Sequence, residues 1–281
     1  MALSEVRQAP AFSLEKGPLL SLLAYLGAVV GAEILAAIAT EANPDPLLWG
    51  MTIHIVLLFA LLGHGASLAK TDVRLSRLLI VLSLVPLIRI LSLGLPSTQF
   101  TVIQWLLLIA MPLLAAAIVM MFVLAIPPRE AYLRLGSPAH LPWQAGVAVS
   151  GFGLGAVEYF LLAEGAWVDA FVLELILPAA IVIGLASGLA EELIFRGLLQ
   201  PQTERVVGPA SGLLFVALLF AAMHIGFYDA TNPLTALDLP FVFAVGLYFG
   251  FVVQRTRSLV GVIFAHGLAN VTLYLLMPFA F

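Results

Sequence analysis

Six polar side chains fall in three short stretches near the C-terminal end of a strongly apolar chain. They are Glu191, Glu192 and Arg196, then His224, then His266 and Asn270. Each stretch lies within or at the end of a run long enough to cross a bilayer, where ionisable groups are costly and usually functional. Carboxylates, imidazoles and an amide gathered in a dry pocket can activate a water and stabilise an oxyanion. The pattern therefore points to hydrolytic chemistry inside the membrane, provided that three helices bring these residues together.

The spacings say which residues can work together. Glu191 and Glu192 are adjacent, so on an α-helix they project about 100° apart and serve different purposes. Glu192 and Arg196 are four apart and can form an ion pair on one face. Glu191 is then free to act as a general base. The alternative is that the pair marks a helix end, with Arg196 snorkelling to the interface. His224 follows Phe220 by one turn. Glu191 lies 17 residues before Gly208, and His224 lies 15 after Pro209. An antiparallel hairpin bent there brings both to one depth, with Pro201 as a point where the connection can bend. His266 and Asn270 are four apart, share a face and can both donate hydrogen bonds; their alternative role is helix–helix adhesion. Side-chain tips of Glu191, His224, His266 and Asn270 are expected within about 8 Å of one another, bridgeable by water and a carbonyl. Ser187 is the hydroxyl near the first stretch, and no nucleophile–His–acid arrangement accompanies it, which disfavours serine catalysis.

Positioning these side chains falls to long apolar helices. The chain has 281 residues and only 10% are charged, against about 25% in soluble domains, so it belongs to another class. Mean hydropathy is +1.11, and the apolar runs are continuous rather than alternating, which favours helices over a β-barrel. Nine spans are predicted at about 18–39, 47–69, 78–95, 100–126, 143–163, 171–199, 209–226, 239–254 and 259–279. The predicted fold class is all-α, a polytopic transmembrane bundle. It is read as one membrane domain over 1–281, with 1–163 as scaffold helices and lateral wall and 171–281 carrying the chemistry. The third span is short and contains Pro86 and Arg89, so it is read as re-entrant or buried in the bundle. The first span has an apolar stretch too long for a signal-peptide core. No cysteine is present, which excludes disulfides, cysteine metal sites and a thiolate nucleophile. No basic patch of nucleic-acid type exists; the partners expected are the lipid bilayer and a peptide or protein substrate.

Charge settles an expected orientation. Arg7 and Lys16 precede the first span, and Lys70, Arg74, Arg77, Arg129, Arg134, Arg205, Arg255 and Arg257 fall in even-numbered loops. The odd-numbered loops have no Lys or Arg and carry Glu41, Asp45, Glu164, Asp169, Asp229 and Asp238. By the positive-inside rule the N-terminus is cytoplasmic and the C-terminus outside, in the cell membrane if the source is prokaryotic. The pocket is then expected between the midplane and the cytoplasmic side. Glu191 counts about 14 Å from Gln200 and His266 about 12 Å from Ser258, although His224 counts about 22 Å from Pro209.

Other intramembrane polar residues receive plainer readings. His54 and His64 are helix contacts. Arg89 pairs with Glu33 or Glu158, and Glu174 is a further acid within a span. A proton-coupled transport path is the functional alternative for these groups. Gly151, Gly153 and Gly155 serve packing, since no strand precedes them to make a nucleotide loop.

The order Glu191-Glu192-x-x-x-Arg196, Phe220-x-x-x-His224 and His266-x-x-x-Asn270, on three late membrane helices, resembles the CAAX protease and bacteriocin-processing family, that of the Rce1-type prenyl-protein endopeptidases. The resemblance covers roughly 184–275. It implies an intramembrane endopeptidase of glutamate type. Glu191 would activate water with help from His224, His266 and Asn270 would stabilise the oxyanion, and Glu192 and Arg196 would support them. The implied substrate is a membrane-associated protein, lipidated or C-terminally anchored. No cofactor is expected. Zinc held by Glu191, His224 and His266 is the alternative, disfavoured because His-Glu-x-x-His is absent and Asn270 would lack a role. A non-proteolytic membrane scaffold and a proton-coupled transporter are the rival functions.

Overall fold

The computed structural model describes residues 16–40, 42–229 and 231–281; Arg7 and Glu41 of the charge pattern lie outside them. The described residues form helices and no strands, and nine of the helices are long and apolar enough to cross a membrane. These are Gly17–Ala37, Asp45–Ser67, Val73–Gly94, Val102–Val123, Pro138–Leu162, Leu173–Val207, Pro209–Phe227, Pro233–Thr256 and Val260–Ala280. Number and order match the expectation. Large apolar side chains such as Leu20, Phe59 and Phe122 stand on the outer surface, where a soluble protein would place polar ones.

The first two spans are α1 (Lys16–Ala37) and α2 (Asp45–Ser67). The third is full length but broken into α3 (Val73–Leu82) and α4 (Leu84–Gly94). Pro86 has no N–H to offer the carbonyl of Leu82, which accounts for a break at Ser83. The segment is buried around that break, from Val81 to Pro86. The fourth and fifth spans are α5 (Val102–Val123) and α6 (Leu141–Leu162). Thr101 and Gln104 cap the start of α5 reciprocally.

The sixth span departs most from expectation. It starts as α7 (Leu173–Ile183), widens into π-helical turns over Gly184–Glu191 and Leu193–Leu199, and resumes as α8 (Gln200–Val207). One continuous helix of 35 residues results, and Pro201 does not end it. Gly208, at φ 87°, reverses the chain into α9 (Pro209–Ala222), a conformation that favours glycine. After α10 (Asp238–Thr256), the last span is α11 (Val260–Val271), a π turn over Thr272–Leu276 and α12 (Met277–Ala280).

Two neighbours clasp α11. A Cβ on Gly151 or Gly155 of α6 would strike the carbonyls of Ala265 and Ala269, and one on Gly188 would lie 2.7 Å from the carbonyl of Ile263. Gly151 and Gly155 serve packing, as expected, whereas Gly153 is exposed and meets nothing within 4 Å; the close backbone approach holds α11 at a fixed rotation. The loops sort into two ends. At one, Arg205 pairs with Glu130 at 2.9 Å and Arg134 Nε donates to the Arg257 carbonyl at 2.8 Å. At the other, Trp167 N–H donates to Tyr274 O at 3.1 Å and Asn232 Nδ2 to Leu161 O at 3.0 Å.

Candidate active site

Glu191, His224, His266 and Asn270 line one cavity of about 350 Å³. Glu191 comes from the π-helical stretch, His224 from the turn just past α9, and His266 and Asn270 from one face of α11. A larger recess of about 830 Å³, beside Leu189 and Leu193, is lined by apolar side chains alone and lacks groups for this chemistry.

Glu192 points away from Glu191's task. Its Oε1 lies 3.0 Å from Arg196 Nη1, so the four-residue spacing does make an ion pair. The same oxygen lies 2.8 Å from His266 Nδ1, a link between helices that the sequence did not suggest. Arg196 and Glu192 are both 0% exposed, which rules out a snorkelling Arg196 at the interface. The guanidinium carbon lies 4.1 Å from the centre of the Phe220 ring, a cation–π contact. Phe220 also separates the histidines, its ring 4.9 Å from that of His224 and 5.8 Å from that of His266.

Hydrogen bonding assigns the tautomers. His224 Nδ1 lies 2.9 Å from the Phe220 carbonyl, which can only accept, so Nδ1 carries the proton. A neutral His224 then has a lone pair on Nε2. His266 Nδ1 likewise donates to the Glu192 carboxylate, so Nε2 is a donor only when the ring is an imidazolium. Ser187 Oγ donates back to the Ile183 carbonyl at 2.8 Å, which engages the hydroxyl within its own helix.

The depth expectation needs correction. Past the four residues the lining runs to Val102, Leu162, Trp167, Phe227 and Tyr274, all beside the loops without Lys or Arg. No residue of the basic loops lines it, among those described. The cavity thus occupies the half of the bundle away from the basic end. The reason is the length of the sixth span: its helix runs on past Gln200 to Val207, so Glu191 lies at most about 24 Å from that end, close to the 22 Å of His224. The His266 count started from Ser258, which is buried at 1% exposure and hydrogen-bonds the Arg134 carbonyl at 2.6 Å, so that turn is covered rather than at a surface.

Two charged lining residues were not assigned to the site from sequence, Arg89 of α4 and Glu158 of α6. Both were visible as ionisable groups within spans; what was missing was their distance from the motifs. Arg89 Nε pairs with Glu33 Oε1 at 2.7 Å, one of the two pairings expected. His54 Nε2 stands 3.1 Å from the same oxygen and His64 Nδ1 2.8 Å from Tyr25 Oη, so both are helix contacts with α1. The cavity draws its lining from both the 1–163 and the 171–281 segments.

The fold and the site define a polytopic helical membrane protein with an acid–histidine–asparagine cavity among its helices. Residues 171–272 match the family model described as type II CAAX prenyl endopeptidase Rce1-like. The match agrees with the resemblance its motifs carry, and the matched segment contains all six motif residues. No curated protein and no solved structure matches the chain.

Proposed function

We propose that this protein is an intramembrane endopeptidase of glutamate type, with Glu191, His224, His266 and Asn270 as its catalytic residues. The observation that supports the reading is the shared cavity of these four side chains. Glu191 takes a proton from a water that also donates to His224 Nε2, and the hydroxide attacks the peptide carbonyl carbon. The carbonyl oxygen becomes an oxyanion, which receives hydrogen bonds from Asn270 Nδ2 and from His266 Nε2 as imidazolium. The C–N bond then breaks and the proton on Glu191 passes to the leaving amine. Glu192 and Arg196 are positioning residues: Glu192 fixes the His266 ring and favours its imidazolium, and Arg196 neutralises Glu192. Comparative proteomics of protein termini in membranes carrying the native chain or Glu191→Ala tests the reading. Termini that depend on Glu191 support it; their absence overturns it.

We propose that the reaction needs no metal. Among the described residues no three His, Cys, Asp or Glu side chains are gathered to hold an ion, which includes the set Glu191, His224 and His266. Activity is expected to survive exhaustive chelation. Inhibition reversed by added zinc, together with stoichiometric bound metal, would overturn this.

We propose further that the basic loops face the cytoplasm and that substrate enters from the opposite side, where the cavity lies. With no native cysteine, single variants report this directly. Gly165→Cys, in the exposed stretch before α7, is expected to react with an impermeant maleimide from outside the cell, and Arg129→Cys only in inverted vesicles. The reverse result would place the cavity toward the cytoplasm.

A further inference from the structure

Arg89 reaches the proposed catalytic cavity and has no part in the chemistry above. It lies on α4, far outside the matched segment, with its side chain 17% exposed. Glu33 and His54 are fully buried behind it. Glu33 Oε1 forms an ion pair with the guanidinium at 2.7 Å from Nε, without hydrogen-bond alignment, and His54 Nε2 stands 3.1 Å from that oxygen. Nη1 lies 3.3 Å from Ser92 Oγ, and Nη2 makes no hydrogen bond among the described residues. A guanidinium carries five donors in a rigid fork, so a grip on its Nε edge leaves the Nη end for something else.

An ion pair that served only the fold would have no need to reach the cavity, and apolar packing commonly replaces such pairs without loss. Here the buried acid holds the base still, and the base meets the space where substrate must lie. The lining acids described, Glu158 and Glu191, are carboxylates, and the proposed mechanism commits His266 to the oxyanion, so a second anionic group has its favourable place at Arg89. In a dry chamber a guanidinium fork is well matched to a carboxylate.

We propose that Arg89 is a substrate-binding residue that anchors a carboxylate of the bound peptide, either its C-terminal α-carboxylate or an acidic side chain. The inference rests on the endopeptidase reading. Because anchor and scissile bond share about 350 Å³, a short stretch of chain joins them, and cleavage falls close to the anchored carboxylate.

The test uses the full chain in lipid nanodiscs and a lipid-anchored random peptide library free of Asp and Glu. The library is made with a C-terminal acid, with a C-terminal amide, and as the amide with one added Glu. The native chain is expected to cleave carboxylate-bearing forms about 10- to 100-fold better than the plain amide, the range of a charge-assisted hydrogen bond. Preference for the acid identifies the chain terminus, and preference for the Glu-bearing amide identifies a side chain. The ratio is expected to fall to near unity in Glu33→Gln/Arg89→Gln, which leaves no unpaired buried charge, and to survive in part in Arg89→Lys. Equal cleavage of all forms by the native chain, or an unchanged ratio in the double variant, overturns the anchor and leaves hydrolysis intact. Binding to Glu191→Gln separates the two ideas. If the native chain cleaves nothing while Glu191→Gln still prefers carboxylate forms through Arg89, the anion site stands and the endopeptidase reading falls. Neither cleavage nor preferential binding overturns both.

Discussion

Replacing Glu191 by Gln is expected to lower kcat/KM by about 10²- to 10⁴-fold, the span of a general base. The amide keeps the shape of the carboxylate but cannot take a proton from water. The adjacent Glu192 does not replace it, being held by Arg196 and His266, and the Ser187 hydroxyl is engaged by its own helix. Binding should persist, so the loss should appear in kcat rather than KM. Asn270→Ala is expected to cost less, about 10²- to 10³-fold, because it removes one oxyanion donor of two. Peptide turnover by purified protein in nanodiscs reads both. If Glu191→Gln retains native turnover, the base lies elsewhere, and Glu158 is the lining carboxylate to examine next.

Glu192→Gln is expected to cost about 3–5 kcal/mol of stability and most of the activity, for two separate reasons. Arg196 is fully buried and stays charged, and Glu192 is its ion-pair partner among the described residues. Arg196 Nε and Nη2 already lack hydrogen bonds, so aromatic rings are what remain around the guanidinium when the carboxylate goes, Phe220 at 4.1 Å and Phe195 and Phe249 at 5.9 Å. Removing one member of a buried pair leaves an uncompensated charge, the source of the stability loss. Activity falls because His266 loses the carboxylate that orients it and supports its second proton. The double variant Glu192→Gln/Arg196→Met separates the effects. It should recover most of the stability, since no lone charge remains, and none of the activity, since His266 still lacks its partner. Unfolding in detergent micelles measures the first and peptide turnover the second. Recovery of both would make Glu192 a mere counter-ion to Arg196.

Much of the architecture is determined by short-range rules, and so was legible in the sequence. Apolar runs of bilayer length set nine spans, because backbone polar groups in lipid must be satisfied within a helix. Spacing of four within one helix set the Glu192–Arg196 pair, and the scarcity of charges in spans nearly forced Arg89 onto Glu33 or Glu158. The same rules marked the six motif residues, and the family match falls on the segment that holds them.

What only the tertiary structure decided depends on how helices approach one another. The π turns at Gly184–Glu191 and Leu193–Leu199 follow no local signal; within the first, Gly188 lies against the backbone of α11. They alter the rotation of Glu191 and Glu192 from that of an α-helix. The Glu192–His266 bond joins residues 74 positions apart, and no periodicity within either helix can reveal it. Cavity depth was misjudged because a helix longer than its apolar run shifts every count made from its apparent end. Arg89 and Glu158 entered the cavity for a related reason. Sequence shows that a charge lies in a span, but the rotation and tilt of that span, set by contacts with its neighbours, decide what the charge meets.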